Sequence, residues 1–279
     1  MRAATRMQAG ALHLLFGIFA AFSVLPLWIM VAGSFKTGSE LAANPSGWPK
    51  AFTLENYANL FTYNGGEMVR AFFNGVYVAS AHTALTILVS SLAAFAFAKY
   101  KFVGGGIIFA CLLATMMVPG EITIPPQYII FSNIGWLNTY AVQIFPGIAN
   151  VFALFMFVQY LRTVPSSLLE AARIDGAGHW KIFWKIVVPM LSPALGALSI
   201  LVFLGKWNDY LWPQIMVSDP KKLPIMVILP NINVNGNQFI IPWELVLTGC
   251  VIVTVPIIAV FLMFQEKFMS SVTIGAVKE

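Results

Sequence analysis

The chain has 279 residues, of which 59% are hydrophobic and only 10% are charged, and its formal net charge is +5. Soluble domains carry about 25% charged residues, so the composition excludes an ordinary soluble protein and indicates a membrane protein. The small positive charge is a matter of membrane topology and gives no reason to expect nucleic acid as a partner. The two cysteines, Cys111 and Cys250, both lie in apolar runs, which argues against a structural disulfide or a metal site.

Six apolar runs are long enough to cross a bilayer, which takes about 20 residues in a helix. The predicted spans are 11–33, 72–98, 105–126, 141–161, 191–213 and 242–264. The first run, which follows Arg2 and Arg6, could alternatively be a signal peptide. Its 23 residues exceed the roughly 7–15 of a signal sequence core, so we interpret it as a retained helix. The fold class is therefore an all-α membrane protein with six transmembrane helices in one domain, 1–279.

The segments between the spans are predicted to be loops. Residues 34–70 are turn-rich, with a short helix expected near Leu54–Phe61. The pair Pro125-Pro126 is expected to close the third span, and the uncharged segment 127–140 is expected to be a short loop. Residues 214–241, rich in Asn and Pro, form a second long loop, and a short polar tail follows from Gln265.

The distribution of lysine and arginine predicts which ends face the cytoplasm. Six spans put both termini on one side, and the Lys/Arg residues divide ten against five in favour of that side. The ten are Arg2, Arg6, Lys99, Lys101, Arg162, Arg173, Lys181, Lys185, Lys267 and Lys278. The five are Lys36, Lys50, Arg70, Lys221 and Lys222. Because cytoplasmic loops carry the excess of positive charge, both termini and the loop after the fourth span are predicted to be cytoplasmic.

That loop holds the most distinctive polar stretch of the chain, EAARIDGAGHWKIFWKIVVP, from Glu170 to Pro189. Ser167 and Glu170 have the spacing of a capping box, and Gly176 is a helix-stop signal. The pattern predicts a short helix, a turn and a second helix. In the second helix the lysines and the tryptophans each recur four residues apart, which favours a position along a membrane surface. They are Lys181, Lys185, Trp180 and Trp184.

The same stretch resembles the signature loop of ABC importer permeases, which reads Glu-Ala-Ala, three residues, Gly, nine residues, then Ile-x-Leu-Pro. The matching residues are Glu170, Ala171, Ala172, Gly176, Ile186 and Pro189, and only Val188 departs, where Leu is usual. The resemblance implies the type I ABC importer permease fold, with a cytoplasmic coupling loop at 162–190, between spans four and five, inside a permease core at 71–265. In the family this loop docks into a groove on the ATP-hydrolysing subunit.

The resemblance thus implies a coupling site at Glu170, Ala171, Ala172, Asp175 and Gly176. For Glu170 two interpretations are compatible: completion of the capping box, and a charge-assisted contact to the ATPase. Asp175 sits at the C-terminal end of the short helix, where the helix dipole disfavours an anion. This favours an external partner, or a local pair with Arg173 or Lys181.

Charged residues inside the predicted spans are candidates for the transport pathway, because each costs about 2.5–3.5 kcal/mol at a membrane centre. Lys206 and Asp209, three residues apart, could share a helix face. They either extend toward the outer loop or line a cavity. The candidate pathway residues are Asn208, Asp209 and Tyr210 in the fifth span and Glu121 in the third. The run from Trp207 to Pro213 resembles the sugar branch of the family.

Other classes of function have little support in the sequence. There is no His-Glu-x-x-His motif, no Ser/His/Asp arrangement and no Gly-x-x-x-x-Gly-Lys-Ser/Thr phosphate loop, so neither an enzyme nor ATP binding is expected, and no catalytic residue, cofactor or metal is assigned. A secondary transporter would be expected to show internal repeats, and none is visible.

The resemblance implies a set of partners in a bacterial cytoplasmic (inner) membrane. These are a second, homologous permease, two ATP-binding subunits, an extracytoplasmic solute-binding protein, a sugar substrate and the lipid bilayer. A non-sugar solute, such as a polyol or glycerol phosphate, is the alternative substrate. The ending Gly275-Ala276-Val277-Lys278 resembles a tail that reaches the ATPase interface in carbohydrate permeases, with Glu279 in place of the usual Gly.

Overall fold

The computed structural model describes residues 2–232 and 241–276, and within these the side chains of 12–232 and 241–265. All regular structure in these ranges is helical, and no strand occurs in them. The α-helices, in chain order, are α1 Arg2–Ser34, α2 Gly38–Ala43, α3 Glu55–Thr62, α4 Glu67–Lys99, α5 Gly105–Thr115, α6 Ile124–Asn133, α7 Tyr140–Ile144, α8 Val151–Thr163, α9 Ser166–Ile174, α10 His179–Ile182, α11 Val188–Met190, α12 Ser192–Trp207, α13 Leu211–Met216, α14 Ile225–Ile228 and α15 Trp243–Ala276. Single 3₁₀ turns lie at Tyr63–Gly65, Gly120–Thr123, Pro220–Lys222 and Leu229–Asn231, and a π-helical turn at Phe183–Val187 joins α10 to α11.

Three helices are long and apolar enough to cross a membrane unbroken. They are Leu12–Ser34 within α1, the whole of α4, and Trp243–Gln265 within α15. The first, second and sixth predicted spans are therefore helices of spanning length. The predicted short helix near Leu54–Phe61 is also present, as α3. The expected polar tail from Gln265 is wrong in one respect, because α15 continues as helix to Ala276.

The third, fourth and fifth predicted spans are each interrupted. The third breaks after α5, and α6 continues at a 95° bend. The fourth breaks between α7 and α8, and the fifth between α12 and α13. Bent pairs raise the number of candidate spans from three to at most six. The prediction of Pro125-Pro126 as the end of the third span is wrong: both lie in the first turn of α6, where a proline's missing N–H removes no helical hydrogen bond.

The chain divides into two compact units, which are described separately. The first comprises the chain up to Arg70 with Ile228–Val255, and the second comprises Ala71–Val227 with the chain from Pro256. The single domain 1–279 and the core 71–265 stay predictions. All candidate site residues belong to the second unit.

The first unit contains a fully buried lysine. Lys36 is 0% exposed, and its ammonium donates to the carbonyl oxygens of Asn44 at 2.7 Å, Pro45 at 3.4 Å and Gly47 at 2.7 Å. Asn56 donates in turn to the carbonyls of Ser34, at 2.9 Å, and Lys36, at 2.7 Å. An ammonium has three donors and no acceptor, so these carbonyls satisfy it and fix the turn at 44–47.

The second unit is held by an apolar cluster that joins long helices to the predicted coupling loop. Its buried members are Ala94, Phe95, Ala153, Leu154, Phe157, Val158, Leu161, Val164, Leu169, Ile182, Phe183, Val187, Leu191 and Leu198. These residues come from α4, α8, α9, the segment 179–191 and α12. The loop is therefore packed onto the ends of the helices it connects.

Candidate functional site

The predicted coupling helix exists as α9, but it begins differently from the prediction. Its N-cap is Pro165, with no side-chain capping hydrogen bond, and Ser167 lies inside the first turn. The capping box is therefore wrong, because Ser167 is already helical and its backbone is not in the extended conformation that a cap requires. With the cap gone, the stabilising role predicted for Glu170 at this end of the helix is lost as well.

The end of α9 follows the prediction closely. Gly176 has φ +77°, and its N–H donates to the Arg173 carbonyl at 3.0 Å. The Ala177 N–H reaches back to the Ala172 carbonyl at 2.9 Å. These two bonds form a Schellman motif, whose left-handed residue is normally glycine. Gly176 is thus required by the turn that separates the two helices.

The acidic residues of the loop project without partners. Glu170 and Asp175 are exposed, and in the described part of the chain neither side chain has an ion pair or hydrogen bond. The local pair considered for Asp175 with Arg173 or Lys181 is not formed. Ala171 is exposed, whereas Ala172 packs against the apolar cluster, so the slim outer face is formed by Ala171 alone.

Two large apolar side chains lie on the same short helix in contact with solvent. Leu168 is 47% exposed and Ile174 is 86% exposed, while Leu169, between them in sequence, is buried at 2%. The sequence reasoning missed Leu168 and Ile174. The only signal was their position beside the signature residues in a polar loop.

Aromatic and basic side chains tie the loop to the end of α4. The Tyr100 hydroxyl lies 2.6 Å from His179 Nδ1, and the Arg173 guanidinium sits over the Tyr100 ring, 5.3 Å from its centre. Lys99 donates to the Val164 carbonyl at 2.5 Å. These contacts fix both ends of the loop, so a force applied at α9 is carried into α4 and α8.

The second helix of the loop, 179–190, has one buried and one exposed face. Ile182, Phe183 and Val187 are buried, while Trp180 and Trp184 are 67% and 51% exposed. Lys181 and Lys185 are exposed too. Pro189 follows the π turn, which accommodates the hydrogen bond that proline cannot make to the preceding turn. The predicted amphipathic pattern is present, and its position on a membrane stays a prediction.

A second candidate site is a cavity of about 350 Å³ at the breaks of three predicted spans. It is lined by Gly120, Glu121, Thr123, Ile124, Gln127, Pro146, Gly147, Lys206, Asp209, Leu211 and Trp212. Irregular backbone at membrane depth is tolerated where it lines a cavity. The interruptions after α5, after α7 and after α12 therefore share one physical explanation.

Two of the cavity's charges form an ion pair. Lys206 Nζ lies 2.9 Å from Asp209 Oδ2, and the side chains are 11% and 23% exposed. The other carboxylate oxygen, Asp209 Oδ1, accepts from the Trp212 N–H at 3.2 Å, at the start of α13. Lys206 also lines a separate cavity of about 230 Å³ beside His82 and Asn150. Of the two alternatives for this pair, lining a cavity is the one observed.

The four predicted pathway residues divide into two groups. Glu121 and Asp209 line the same cavity. Asn208 is exposed, and its amide donates to the Leu204 carbonyl at 2.9 Å, which caps the end of α12. Tyr210 is 41% exposed and is absent from this wall. The prediction of one continuous fifth helix caused the error, because the break at 208–210 turns these side chains apart.

Several lining residues were missed by sequence reasoning. Trp212 was predicted as part of a span, but its indole N–H donates to the Val142 carbonyl at 2.7 Å, and its ring faces the cavity wall. The Gln127 amide donates to the Thr123 hydroxyl at 2.8 Å. Gly147, with φ +85°, makes the turn between α7 and α8. The Pro146-Gly147 pair was the available signal for that break.

Comparison with known proteins places the chain in a family. Residues 86–273 match the model of the binding-protein-dependent transport system inner membrane component. The arabinooligosaccharides transport system permease protein AraQ of Bacillus subtilis is 34% identical, over 96% of this chain and 95% of its own length. The sn-glycerol-3-phosphate transport system permease protein UgpE of Brucella abortus is 30% identical, over 93% of both chains.

A solved structure supports the fold. A chain of a bacterial ABC transporter that imports the acidic polysaccharide alginate superimposes with a TM-score of 0.83, at 22% identity, over 94% of this chain and 97% of that one. The family and these relatives are transport permeases and not enzymes. Since the family model covers more than half of the sequence and AraQ matches nearly all of it, this chain belongs to the binding-protein-dependent transport system inner membrane components.

Proposed function

We propose that this chain is one of two permease subunits of an ATP-driven importer for a sugar or oligosaccharide. The observation that carries this is the 34% identity with AraQ, which extends over 96% of the chain. A second permease, two ATP-binding subunits and an extracytoplasmic solute-binding protein complete the assembly. The cavity at Glu121, Lys206 and Asp209 lies on the transport pathway, and ATP hydrolysis reaches it through α9.

The likeness to UgpE supports a second substrate, a glycerol phosphate. The two substrates differ in charge, which makes them separable by the chemistry of the cavity. A secondary transporter is not supported, because the family to which the chain belongs depends on a binding protein.

The coupling role of α9 rests on its exposed, unpaired acids and apolar side chains. Glu170 and Asp175 offer carboxylates to a basic groove, and Leu168 and Ile174 offer apolar surface next to them. An interface with an apolar centre and charge-assisted contacts at its edge fits this pattern. The burial of Leu169, Ile182 and Phe183 makes the loop rigid enough to transmit movement.

The test is substrate-stimulated ATP hydrolysis by the complete transporter in lipid. Glu170→Gln removes the charge, and since no cap depends on Glu170, a fall of several-fold in stimulation reports lost contact with the ATPase. Gly176→Val is expected to have a larger effect, because φ +77° strains a β-branched residue. Gly178→Ala, at φ −70° and with open space around it, is the matched control. Wild-type stimulation in both Glu170→Gln and Gly176→Val would sink the coupling role.

The orientation is tested by labelling single cysteines from outside the cell, after replacement of Cys111 and Cys250. Ser46 and Ser166 are both exposed, so each is a suitable position. With the termini in the cytoplasm, a cysteine at 46 reacts with an impermeant reagent and one at 166 does not. The reverse pattern would overturn the proposed topology.

A further inference from the structure

We propose that the cavity at the three helix breaks binds a neutral polyhydroxylated ligand and discriminates against anions of the same size. This deepens the proposed function, on which it rests, because it selects between the sugar and phosphate substrates of the relatives. The argument uses the charges, the committed hydrogen bonds and the remaining free groups of the wall.

The charge inventory of the cavity is short. The wall carries two carboxylates, Glu121 and Asp209, and one ammonium, Lys206. The ammonium is paired with Asp209 at 2.9 Å and is only 11% exposed, so its charge is already compensated. Glu121 is exposed and has no ion pair within the described residues. The unpaired charge that a ligand meets is therefore negative.

An anionic ligand would need the opposite arrangement. A phosphate or uronate is recognised by basic side chains or by free backbone N–H groups. Here the lysine is occupied, and the Trp212 N–H at the start of α13 is also occupied, by Asp209 Oδ1 at 3.2 Å. One unpaired like charge at short range weakens anion binding on the order of tenfold.

The uncharged parts of the wall suit a sugar. The indole N–H of Trp212 is committed to Val142, so the ring contributes an apolar surface for the C–H face of a pyranose. The Gln127 amide uses one N–H on Thr123 and keeps its carbonyl oxygen and second N–H. The Glu121 carboxylate adds acceptors for hydroxyl groups. A few polar groups in an apolar wall of about 350 Å³ are typical of a small-molecule site.

The test measures equilibrium binding to the complete transporter in lipid nanodiscs, without the solute-binding protein. The probes are α-1,4-galactobiose and α-1,4-digalacturonate, which differ only in the oxidation state of C6. Saturation-transfer NMR and competition give their relative affinities. The wild type is expected to prefer galactobiose by about tenfold. Glu121→Gln should reduce this preference to near unity, and Glu121→Lys should reverse it.

Glu55→Gln is the control, since Glu55 is an exposed carboxylate outside the cavity. It should keep the wild-type preference. Equal binding of the two sugars by the wild type, tighter binding of digalacturonate, or binding of neither would each overturn the proposal. So would a preference that Glu121→Gln leaves unchanged. Coupled ATP hydrolysis is measured in the same samples: if it is intact, the cavity assignment fails alone, and if the complex does not assemble, the proposed function fails.

Discussion

Two buried lysines in this chain are stabilised in different ways. Lys36 is 0% exposed and donates to three backbone carbonyls. Lys206 is 11% exposed, has one carboxylate partner and lines cavities on two sides. The first ammonium has all three donors occupied by its own local backbone. The second depends on a single side chain, Asp209.

The difference indicates what each lysine does. A buried charge persists only when its surroundings compensate it. At Lys36 the compensation comes from the turn at 44–47, so the charge fixes a loop and faces nothing else. At Lys206 the compensation comes from a group that lines the same cavity, so a ligand or a movement can alter it. The first lysine is structural, and the second belongs to the candidate site.

Lys36→Met tests the structural half of the comparison and should have the largest effect on stability. It leaves the carbonyls of Asn44, Pro45 and Gly47 without their donor, at about 1–3 kcal/mol for each buried group that finds no new partner. A loss of about 3 kcal/mol is expected, seen as a lower melting temperature in detergent. Lys50→Met, on an exposed lysine of the same loop, should change the melting temperature little. Equal melting of the two variants would contradict the structural role.

Asp209→Ala tests the functional half. It leaves the Lys206 ammonium unpaired and removes the acceptor of the Trp212 N–H, which together should cost about 2 kcal/mol and abolish most transport. Asp209→Asn keeps an acceptor for Trp212 but loses the charge, and about half of that stability loss is expected. Lys222 is a poor control, because it donates to the Asn138 carbonyl at 2.9 Å and lies 3.6 Å from Asp219. Glu55→Gln replaces it. Normal transport by a normally folded Asp209→Ala would remove the pair from the pathway.

The double variant Lys206→Met with Asp209→Leu sharpens the same point. Removing one member leaves an uncompensated charge, whereas removing both leaves an apolar pair of similar volume. The double variant should therefore melt within about 1 kcal/mol of the wild type, above Asp209→Ala, while transport stays low. Additive losses in the double-mutant cycle would show that the two residues act independently.

The sequence predicted the long helices well and the broken ones poorly. Apolar runs without polar interruptions gave α1, α4 and the start of α15, because length and hydrophobicity decide such helices. The breaks at 116–123, 145–150 and 208–210 carry glycine, proline or a charged residue. Those signals were read as features of continuous spans, since hydropathy averages over a short interruption.

The candidate sites show the same division. The Gly176 turn was predictable because its left-handed conformation is a local property of the chain. The proximity of Glu121 and Asp209 could be proposed only as separate candidates, because 88 positions in the sequence separate them and only the tertiary fold joins their helices. The false capping box at Ser167 has a similar cause. Packing of Leu169 and Val164 in the apolar cluster starts α9 earlier than its local pattern suggests.

The exposed lysines of the second loop helix complete the comparison, and their effect should be the smallest. Lys181 and Lys185 are exposed beside Trp180 and Trp184, so water or lipid headgroups compensate them. Each lysine near an anionic surface contributes about 1 kcal/mol of attraction, which salt weakens. Lys181→Gln with Lys185→Gln should leave the melting temperature unchanged, because neither side chain is packed. The expected change is in the lipid dependence of coupled ATP hydrolysis. Wild-type transporter in nanodiscs should be stimulated several-fold by phosphatidylglycerol at low salt, and the double variant should lose most of this stimulation, with Lys50→Gln as the control. If phosphatidylglycerol stimulates wild type and double variant equally, the lysine face does not lie against the membrane.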